Sequence, residues 1–537
     1  MADPWLPTEH GTDNQNLQRR VARGATWTIV DNWGRQFLQL AVFTVIANLL
    51  LPEEFGLVAL AMVFVMLAQL FVDQGMGDAL VQRGQVGREH LDTAFWAAML
   101  LGSLLAVAGM LLAGVIGGLL NEPGLTPLLQ VLSLTFVLTA ASTVPMAMLR
   151  RELRFRSLAL RTLFSIAGGG VVGITLAVMG FGPWALVGQQ VTAAALSVVA
   201  LWLATGWRPS RRFSTQHFRE LFGFGAKVVA SDLLLYITRY TDNLLIGVFR
   251  TTQELGIYAV GYRILDSANS LLVGIARKIT FPALSRLQHD PERSRRAYFR
   301  VTRLSATLIL PAYIGLALVA PELIPLIFGA QWAESGPVAA VLFLVGPAYS
   351  FQGFGTSLLM AAGRPDVVLR FRFVNMVTTV IGFAIAVPFG IVAMAVSFVI
   401  RGYLMVPLQL YLQRRYADIP SGEYLRRLAV PTAATLLMAL AVIGVRLLLG
   451  EQLAVLPLLL LSVVTGAVVY TAAIVVMDRP LLGDVLHVAS QALPGGEGAR
   501  RRLGGGARRR DARAPEEKVP VTPDEVDTSR PDRPTGF

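Results

Sequence analysis

Long apolar stretches alternate with short loops along most of this chain. The pattern predicts fourteen membrane-crossing helices, near 24–50, 55–81, 92–119, 125–148, 157–180, 183–205, 223–249, 255–280, 299–320, 335–361, 369–388, 390–412, 428–449 and 453–477. At 1.5 Å rise per residue, about 20 residues cross the roughly 30 Å of hydrocarbon in a bilayer. Gly180-Phe181-Gly182-Pro183 and Pro388-Phe389-Gly390 supply the turns that separate the less obvious pairs. The expected fold class is an all-α integral membrane protein.

The loops carry a second pattern. Arg83 and Arg88, Arg150, Arg151, Arg154 and Arg156, Arg208, Arg211, Arg212 and Arg219 fall in every other connection. The series continues through Arg286, Arg293, Arg295 and Arg296, then Arg364, Arg370 and Arg372, then Arg414, Arg415, Arg426 and Arg427. The intervening loops hold almost none, Arg250 and Arg446 excepted. Cytoplasmic loops accumulate Lys and Arg, so the alternation places both termini in the cytoplasm and requires an even number of spans.

Against this regular background two helices are irregular. The stretch 223–249 contains Asp232, Tyr236, Arg239, Asp242 and Asn243, and 255–280 contains Arg263 and Asp266. At 100° per residue, Asp232, Tyr236, Arg239 and Asn243 share one stripe, and Arg263, Asp266, Ser267 and Ser270 another. A charge in mid-membrane costs about 2.5–3.5 kcal/mol on the insertion scale, so it faces water or a partner. The first span shows the same design with Asp31, Asn32, Arg35, Gln36 and Gln39. Glu54-Phe55-Gly56-Leu57-Val58-Ala59 recurs as Glu254-Leu255-Gly256-Ile257-Tyr258-Ala259, in each case opening the helix after a polar-striped one. This is an internal repeat. Six spans separate the copies, so they share an orientation and predict two pseudo-symmetric six-helix lobes about an axis along the membrane normal.

The expected organisation is a cytoplasmic segment 1–23, a first lobe 24–205, a linker 206–222, a second lobe 223–412, two extra helices over 428–477 and a disordered cytoplasmic tail 478–537. Self-neutralising pairs Asp31–Arg35 and Arg263–Asp266 are the structural alternative to a wet pathway. Concentration of the charges in the first two helices of each lobe favours the pathway. Arginine outnumbering lysine suits phosphate, which guanidinium binds bidentately.

Composition narrows the chemistry. The chain has 537 residues, 54% hydrophobic and 15% charged, far from a soluble domain. Its net charge of +12 sits mainly in the loops, so it implies no nucleic-acid partner. With no cysteine there is no thiolate nucleophile or Cys-ligated metal, and the five histidines, at 10, 90, 217, 289 and 487, show no metal-ligand spacing. Gly223-Phe224-Gly225-Ala226-Lys227 lacks the spacing of a phosphate-cradling loop, and no GxSxG elbow occurs. No catalytic residue and no metal are expected. The first apolar run, interrupted by Asp31 and Arg35, is unlike a cleavable signal peptide.

Arg23-Gly24-x-x-Trp27, Glu53-Glu54-Phe55-Gly56-Leu57-Val58-Ala59-Leu60 and Val72-Asp73-x-Gly75-x-Gly77-x-Ala79-Leu80-Val81-Gln82-Arg83 resemble the start of bacterial polysaccharide exporters. Gly256-x-Tyr258-x-x-x-x-Arg263-Ile264 is similar to their second-half motif. The likeness is to Wzx-like flippases of the colanic-acid and teichuronic-acid type, in the superfamily of multidrug MATE transporters and lipid II flippases. It covers about residues 20–480. The resemblance implies a transporter in the bacterial cytoplasmic membrane with a cation-lined cavity that alternates between the two sides. Its cargo would be an undecaprenyl-pyrophosphate-linked oligosaccharide, its surroundings membrane lipid, and its pathway neighbours glycosyltransferases and a polymerase.

On that reading Arg35, Arg239 and Arg263, with Tyr236, Asn243 and Gln39, are the candidate substrate-binding residues. Asp31, Asp232, Asp242 and Asp266 would couple transport to H+, Na+ or the membrane potential, or tune the arginines, and no cofactor is expected. The rival readings are a MATE-like drug or cation antiporter using Asp31 or Asp232, and a membrane polymerase or ligase. The latter needs a large outer loop, and the longest expected one, around Pro321–Gly336, is short.

The orientation is testable in the naturally cysteine-free chain. Single cysteines at 88, 154, 212, 293 and 415 are expected to resist an impermeant thiol reagent on intact cells, and those at 122, 252 and 334 to react. Labelling of 154 or 293 would refute the assignment.

Overall fold

The computed structural model describes residues 14–73, 76–83, 86–273, 284 and 290–481. Every regular element among them is helical. The tail expected from 478 onward lies almost wholly outside the described residues, as do the ends of several loops.

The first half of the chain forms α1 (Asn14–Leu49), α2 (Pro52–Asp73), α3 (Met76–Gln82), α4 (Arg88–Leu119), α5 (Leu125–Arg151), α6 (Phe155–Val178) and α7 (Trp184–Thr205). The second half forms α8 (Thr215–Phe249), α9 (Thr252–Leu272), α10 (Pro291–Phe328), α11 (Ser335–Phe343), α12 (Gly346–Ala361), α13 (Pro365–Ala386) and α14 (Ile391–Ala417). Two more helices follow, α15 (Ser421–Leu449) and α16 (Val455–Met477).

Eleven helical stretches among the described residues are long and apolar enough to cross a membrane. The three long helices outside that set are α1, α8 and α9, which carry the intramembrane charges. Apolar side chains such as Leu111, Val171, Leu203, Leu447 and Val476 remain exposed, as a lipid-facing surface requires.

Several expected ends shift. The first helix begins at Asn14, within the segment read as polar. The tenth expected span is broken in two, as α11–α12. The stretch taken as the longest outer loop is helical through Phe328 and then forms a 3-10 turn, Ala330–Trp332. The three prolines of α10 (Pro311, Pro321 and Pro325) made its end read as loop, but in an apolar setting neighbouring helices re-satisfy the carbonyls that proline frees.

The repeat appears in the packing. In the first half α1 packs on α6, α2 and α4 on α5, and α7 on α5 and α6. In the second, α8 packs on α13, α9 and α10 on α11, and α14 on α11, α12 and α13. These are equivalent pairs, which defines two pseudo-symmetric lobes. Contacts between the lobes are reciprocal too: α2 with α9, α2 with α8 against α1 with α9, and α4 with α8 against α1 with α10. The helices α15 and α16 pack on each other and on α10, outside this scheme.

The repeated motif explains the central contact. Glu54 accepts from the Leu51 backbone N–H at 2.8 Å, and Glu254 donates its N–H to Thr251 Oγ1 at 3.2 Å, so each motif opens its helix with a capped first turn. Two residues on stands a glycine. A Cβ on Gly56 would overlap the Thr252 carbonyl, and one on Gly256 the Pro52 carbonyl. The two helices therefore cross backbone to backbone, and only glycine permits that approach.

Around the crossing, at the arginine-poor face, an aromatic plug closes the lobes. Phe43 stands 5.7 Å from Phe55 and 5.5 Å from Phe328, and Phe55 stands 5.2 Å from Trp332, all edge-on. Trp332 Nε1 donates to the Ala47 carbonyl at 2.8 Å, and Asn48 Nδ2 to the Ile327 carbonyl at 2.8 Å.

Gly56→Ala is expected to cost about 1–3 kcal/mol through forced overpacking, read as a lower melting temperature of the purified protein. Gly114→Ala is the control, since a Cβ there meets nothing within 4 Å. Equal melting temperatures for the two variants would contradict the crossing.

Candidate functional site

Just beyond the aromatic plug, toward the arginine-rich face, a cavity of about 300 Å³ opens between α1, α2, α7 and α9. Its polar lining is Gln39, Gln189, Gln190 and Arg263; Phe43, Phe55 and Met62 are among its apolar walls. The Arg263 guanidinium lies 5.9 Å over the Phe43 ring. Among the described residues no carboxylate stands within 4.0 Å of it. A guanidinium with no counter-ion, ringed by amides in an otherwise apolar cavity, is built to receive an anion with hydroxyls nearby.

A second cavity, of about 370 Å³, lies between α2, α3 and α8 and is lined by Gln69, Asp78, Asp232, Tyr236, Arg239 and Tyr240, among others. The Tyr236 hydroxyl donates to the Val63 carbonyl, tying the lobes together. Arg239, which lines this cavity, donates to Asp266 of α9 at 2.8 Å, and both side chains are partly exposed.

Helix spacing offers Asp266 to Arg263 as the self-neutralising alternative, but the partner of Asp266 is Arg239 of α8.

The remaining candidates are placed differently. Asp242 is buried, accepting from the Tyr258 hydroxyl at 3.0 Å and from the Asn243 N–H at 2.8 Å. Asn243, half-buried, lines neither cavity. Arg35 is exposed and donates to Asn32 at 3.2 Å, so it forms no pair with Asp31. Arg161, a half-buried arginine on α6, donates to Ser197 at 3.0 Å. Thus Gln39 joins Arg263, Asp232 and Tyr236 join Arg239 and Asp266, and Asp31, Arg35, Asp242 and Asn243 line neither cavity.

Sequence reasoning missed Gln189, Gln190, Gln69 and Asp78. Adjacent amides within an apolar span were the available signal for the first two. Arg401, conspicuous in α14, is spoken for: it donates to Asn375 and, at 2.6 Å, to the Tyr349 hydroxyl, and stacks on Phe398.

Two pseudo-symmetric helical lobes around polar cavities, inside an apolar outer surface, define a multi-pass membrane protein of the transporter type. The chain belongs to the polysaccharide biosynthesis protein family, whose model matches residues 45–337, just over half its length. It is 27% identical over 489 residues to the succinoglycan biosynthesis transport protein ExoT of Rhizobium meliloti (strain 1021), which covers 89% of this chain and 97% of that protein. It is 27% identical to the lipopolysaccharide biosynthesis protein WzxC of Escherichia coli (strain K12), over 66% of this chain and 73% of that one. The teichuronic acid biosynthesis protein TuaB of Bacillus subtilis (strain 168) is 26% identical, again over 66% of this chain and 73% of that one.

Among solved structures, the lipid II flippase MurJ in an inward closed conformation superposes with a TM-score of 0.70 at 13% identity, covering 86% of this chain and 100% of that one. An inward-facing multidrug resistance MATE transporter of the MOP superfamily superposes at 0.59 and 15% identity, covering 71% and 94%. The fold is the one these transporters share.

The cross-helix pair makes a quantitative prediction. Arg239→Ala and Asp266→Ala are each expected to destabilise, while the double variant recovers part of the loss, with a coupling on the order of 1 kcal/mol. Thermal or chemical unfolding in detergent measures it, and strict additivity would contradict the pairing.

Proposed function

We propose that this protein flips a polyprenyl-pyrophosphate-linked oligosaccharide from the cytoplasmic to the outer leaflet for cell-surface polysaccharide assembly. The arginine-rich face is cytoplasmic in this reading, as the loop charges require. A pyrophosphate with several sugars cannot enter hydrocarbon, because each unpaired polar group costs several kcal/mol there. A polar cavity between lobes can hold the head group while the polyprenyl tail stays in lipid.

The observation that carries this reading is Arg263: an arginine with no carboxylate within 4.0 Å among the described residues, lining a cavity shared by both lobes with Gln39, Gln189 and Gln190. Guanidinium suits the pyrophosphate oxygens, and the amides suit sugar hydroxyls. A free guanidinium repels a cation, which disfavours the drug or cation antiporter. The names of the relatives, a succinoglycan transport protein among them, support a saccharide cargo.

Transport follows from lobes that part at the glycine crossing and close at the opposite face, exposing the cavity to each side in turn. In this reading Arg239 receives the head group nearer the cytoplasm, with Asp266 neutralising it while it is unoccupied. Asp242, a carboxylate enclosed by the Tyr258 hydroxyl, is the group placed to couple the cycle to a proton or sodium ion. Glycosyltransferases and a polymerase of the same pathway are the enzymes expected to supply and consume the cargo.

Surface polysaccharide in a flippase-deficient strain, with membrane expression matched, tests the assignment. Arg263→Ala is expected to abolish export, and Arg263→Lys to restore it only in part, because a point charge lacks the planar fork. Adding Asp266→Ala to Arg263→Ala is expected to rescue nothing, since Asp266 belongs to Arg239. Full export by Arg263→Ala would overturn the reading.

A further inference from the structure

At the arginine-rich face, away from both cavities, three donor groups from distant parts of the chain converge. Those of His90 on α4 and of His217 and Glu220 on α8 all lie within 4.8 Å of one another. The two imidazoles stack with centroids 3.8 Å apart at 28°. Both ring nitrogens of His90 and Nδ1 of His217 are buried and have no hydrogen-bond partner among the described residues. Buried polar atoms normally find partners, and three such nitrogens in one cluster need a reason. Glu89 stands on the rim, its carboxylate 3.7 Å from His217 Nε2.

We propose that His90, His217 and Glu220 form a binding site for a divalent transition metal of the zinc class, tying the start of α8 to the start of α4. Ligands on one tetrahedral zinc lie about 3.3 Å apart, given metal–ligand bonds of about 2.0–2.1 Å. To reach that spacing the stacked rings turn until a nitrogen of each points at one centre. Imidazole and carboxylate are the ligands zinc takes in such mixed sites, with Glu89 or water completing the shell.

The surroundings have the features of a built site. The linker that delivers His217 is docked on α4. Asp92 accepts from the Ser210 N–H at 3.0 Å, Trp96 donates to the Ser210 carbonyl at 2.8 Å, and Thr93 Oγ1 accepts from the Ser214 N–H at 3.1 Å. Ser214 in turn caps α8, accepting from the His217 N–H at 3.4 Å. His217 is thereby held one turn into a fixed helix start. Glu220 accepts from Arg83 at 2.6 Å, which holds its carboxyl below the usual carboxylate range and so ionised. A metal-bound carboxylate commonly keeps such a second partner, which orients the ligand. Arg83 and Arg212 offset Glu220 and Glu89, leaving the incoming ion to supply the site's net positive charge.

The site lies at the first turns of the helix that carries Asp232, Tyr236 and Arg239 of the second cavity.

Purified full-length protein in detergent, stripped with chelator, tests the proposal by titration with Zn2+ in a calorimeter and with Co2+ in a spectrophotometer. The chain has no cysteine, so background metal binding is confined to histidines and carboxylates. One equivalent is expected to bind, with a Co2+ visible band of tetrahedral intensity, and Zn2+ is expected to raise the melting temperature. His90→Ala and His217→Ala should each weaken binding by roughly tenfold or more, and Glu220→Gln by less. Should either alanine variant prove polydisperse, His90→Gln and His217→Asn keep the bulk and serve in its place. A variant lacking His10, His289 and His487 should bind as the parent does. No saturable binding by the parent, or unchanged binding after loss of both His90 and His217, would overturn the site.

Discussion

The structure depends on one close approach, the crossing of α2 and α9 at Gly56 and Gly256. Each glycine faces the carbonyl four residues before its counterpart, Thr252 against Gly56 and Pro52 against Gly256. The contact is therefore symmetric, in keeping with the duplicated motif. Next to the crossing lies the first cavity, bounded by Val58 and Ala59 on one helix and by Ala259, Val260 and Arg263 on the other. The aromatic plug of Phe43, Phe55, Phe328 and Trp332 then seals the end where the helices meet.

A second constraint comes from the cost of charge in hydrocarbon. Four charged groups in the middle of α8 and α9 are accommodated in three different ways. Arg239 and Asp266 neutralise each other across helices. Asp242 is enclosed by a tyrosine hydroxyl and a backbone amide. Arg263 has neither arrangement and faces the cavity over an aromatic ring. A guanidinium left in that condition is tolerated where water or an anionic ligand completes it, and this distinguishes Arg263 from Arg401, whose two terminal nitrogens donate to Asn375 and Tyr349.

Much of the architecture was legible in the sequence, because membrane helices must be both long and apolar and loops on one face accumulate arginine. The six-residue echo of Glu54–Ala59 at Glu254–Ala259 revealed the lobes, and its Glu-x-Gly core proved to be a helix cap followed by a crossing point. The ends of elements were less legible. Proline in α10 imitates a loop, and the break between α11 and α12 leaves no charge or glycine run to mark it. Partners across helices were hidden altogether. Helical spacing places Asp266 beside Arg263, and only the three-dimensional packing brings Arg239 closer. The same limit concealed the meeting of His90 and His217, 127 positions apart in the chain, since no local spacing announces a contact made by a docked linker.

The central claim is that the lobes must separate at the plugged face for cargo to leave. Cysteines replacing Asn48 and Gln331, where the Gln331 side-chain amide donates to the Asn48 backbone carbonyl, allow the face to be locked by oxidation in a chain otherwise free of cysteine. The measurement is protein-dependent appearance of a polyprenyl-pyrophosphate-linked oligosaccharide in the far leaflet of proteoliposomes, read with an impermeant glycosidase before and after cross-linking. Cross-linked protein is predicted to stop transporting and to resume when the disulfide is reduced. Transport at an undiminished rate with cross-linking complete would contradict the account.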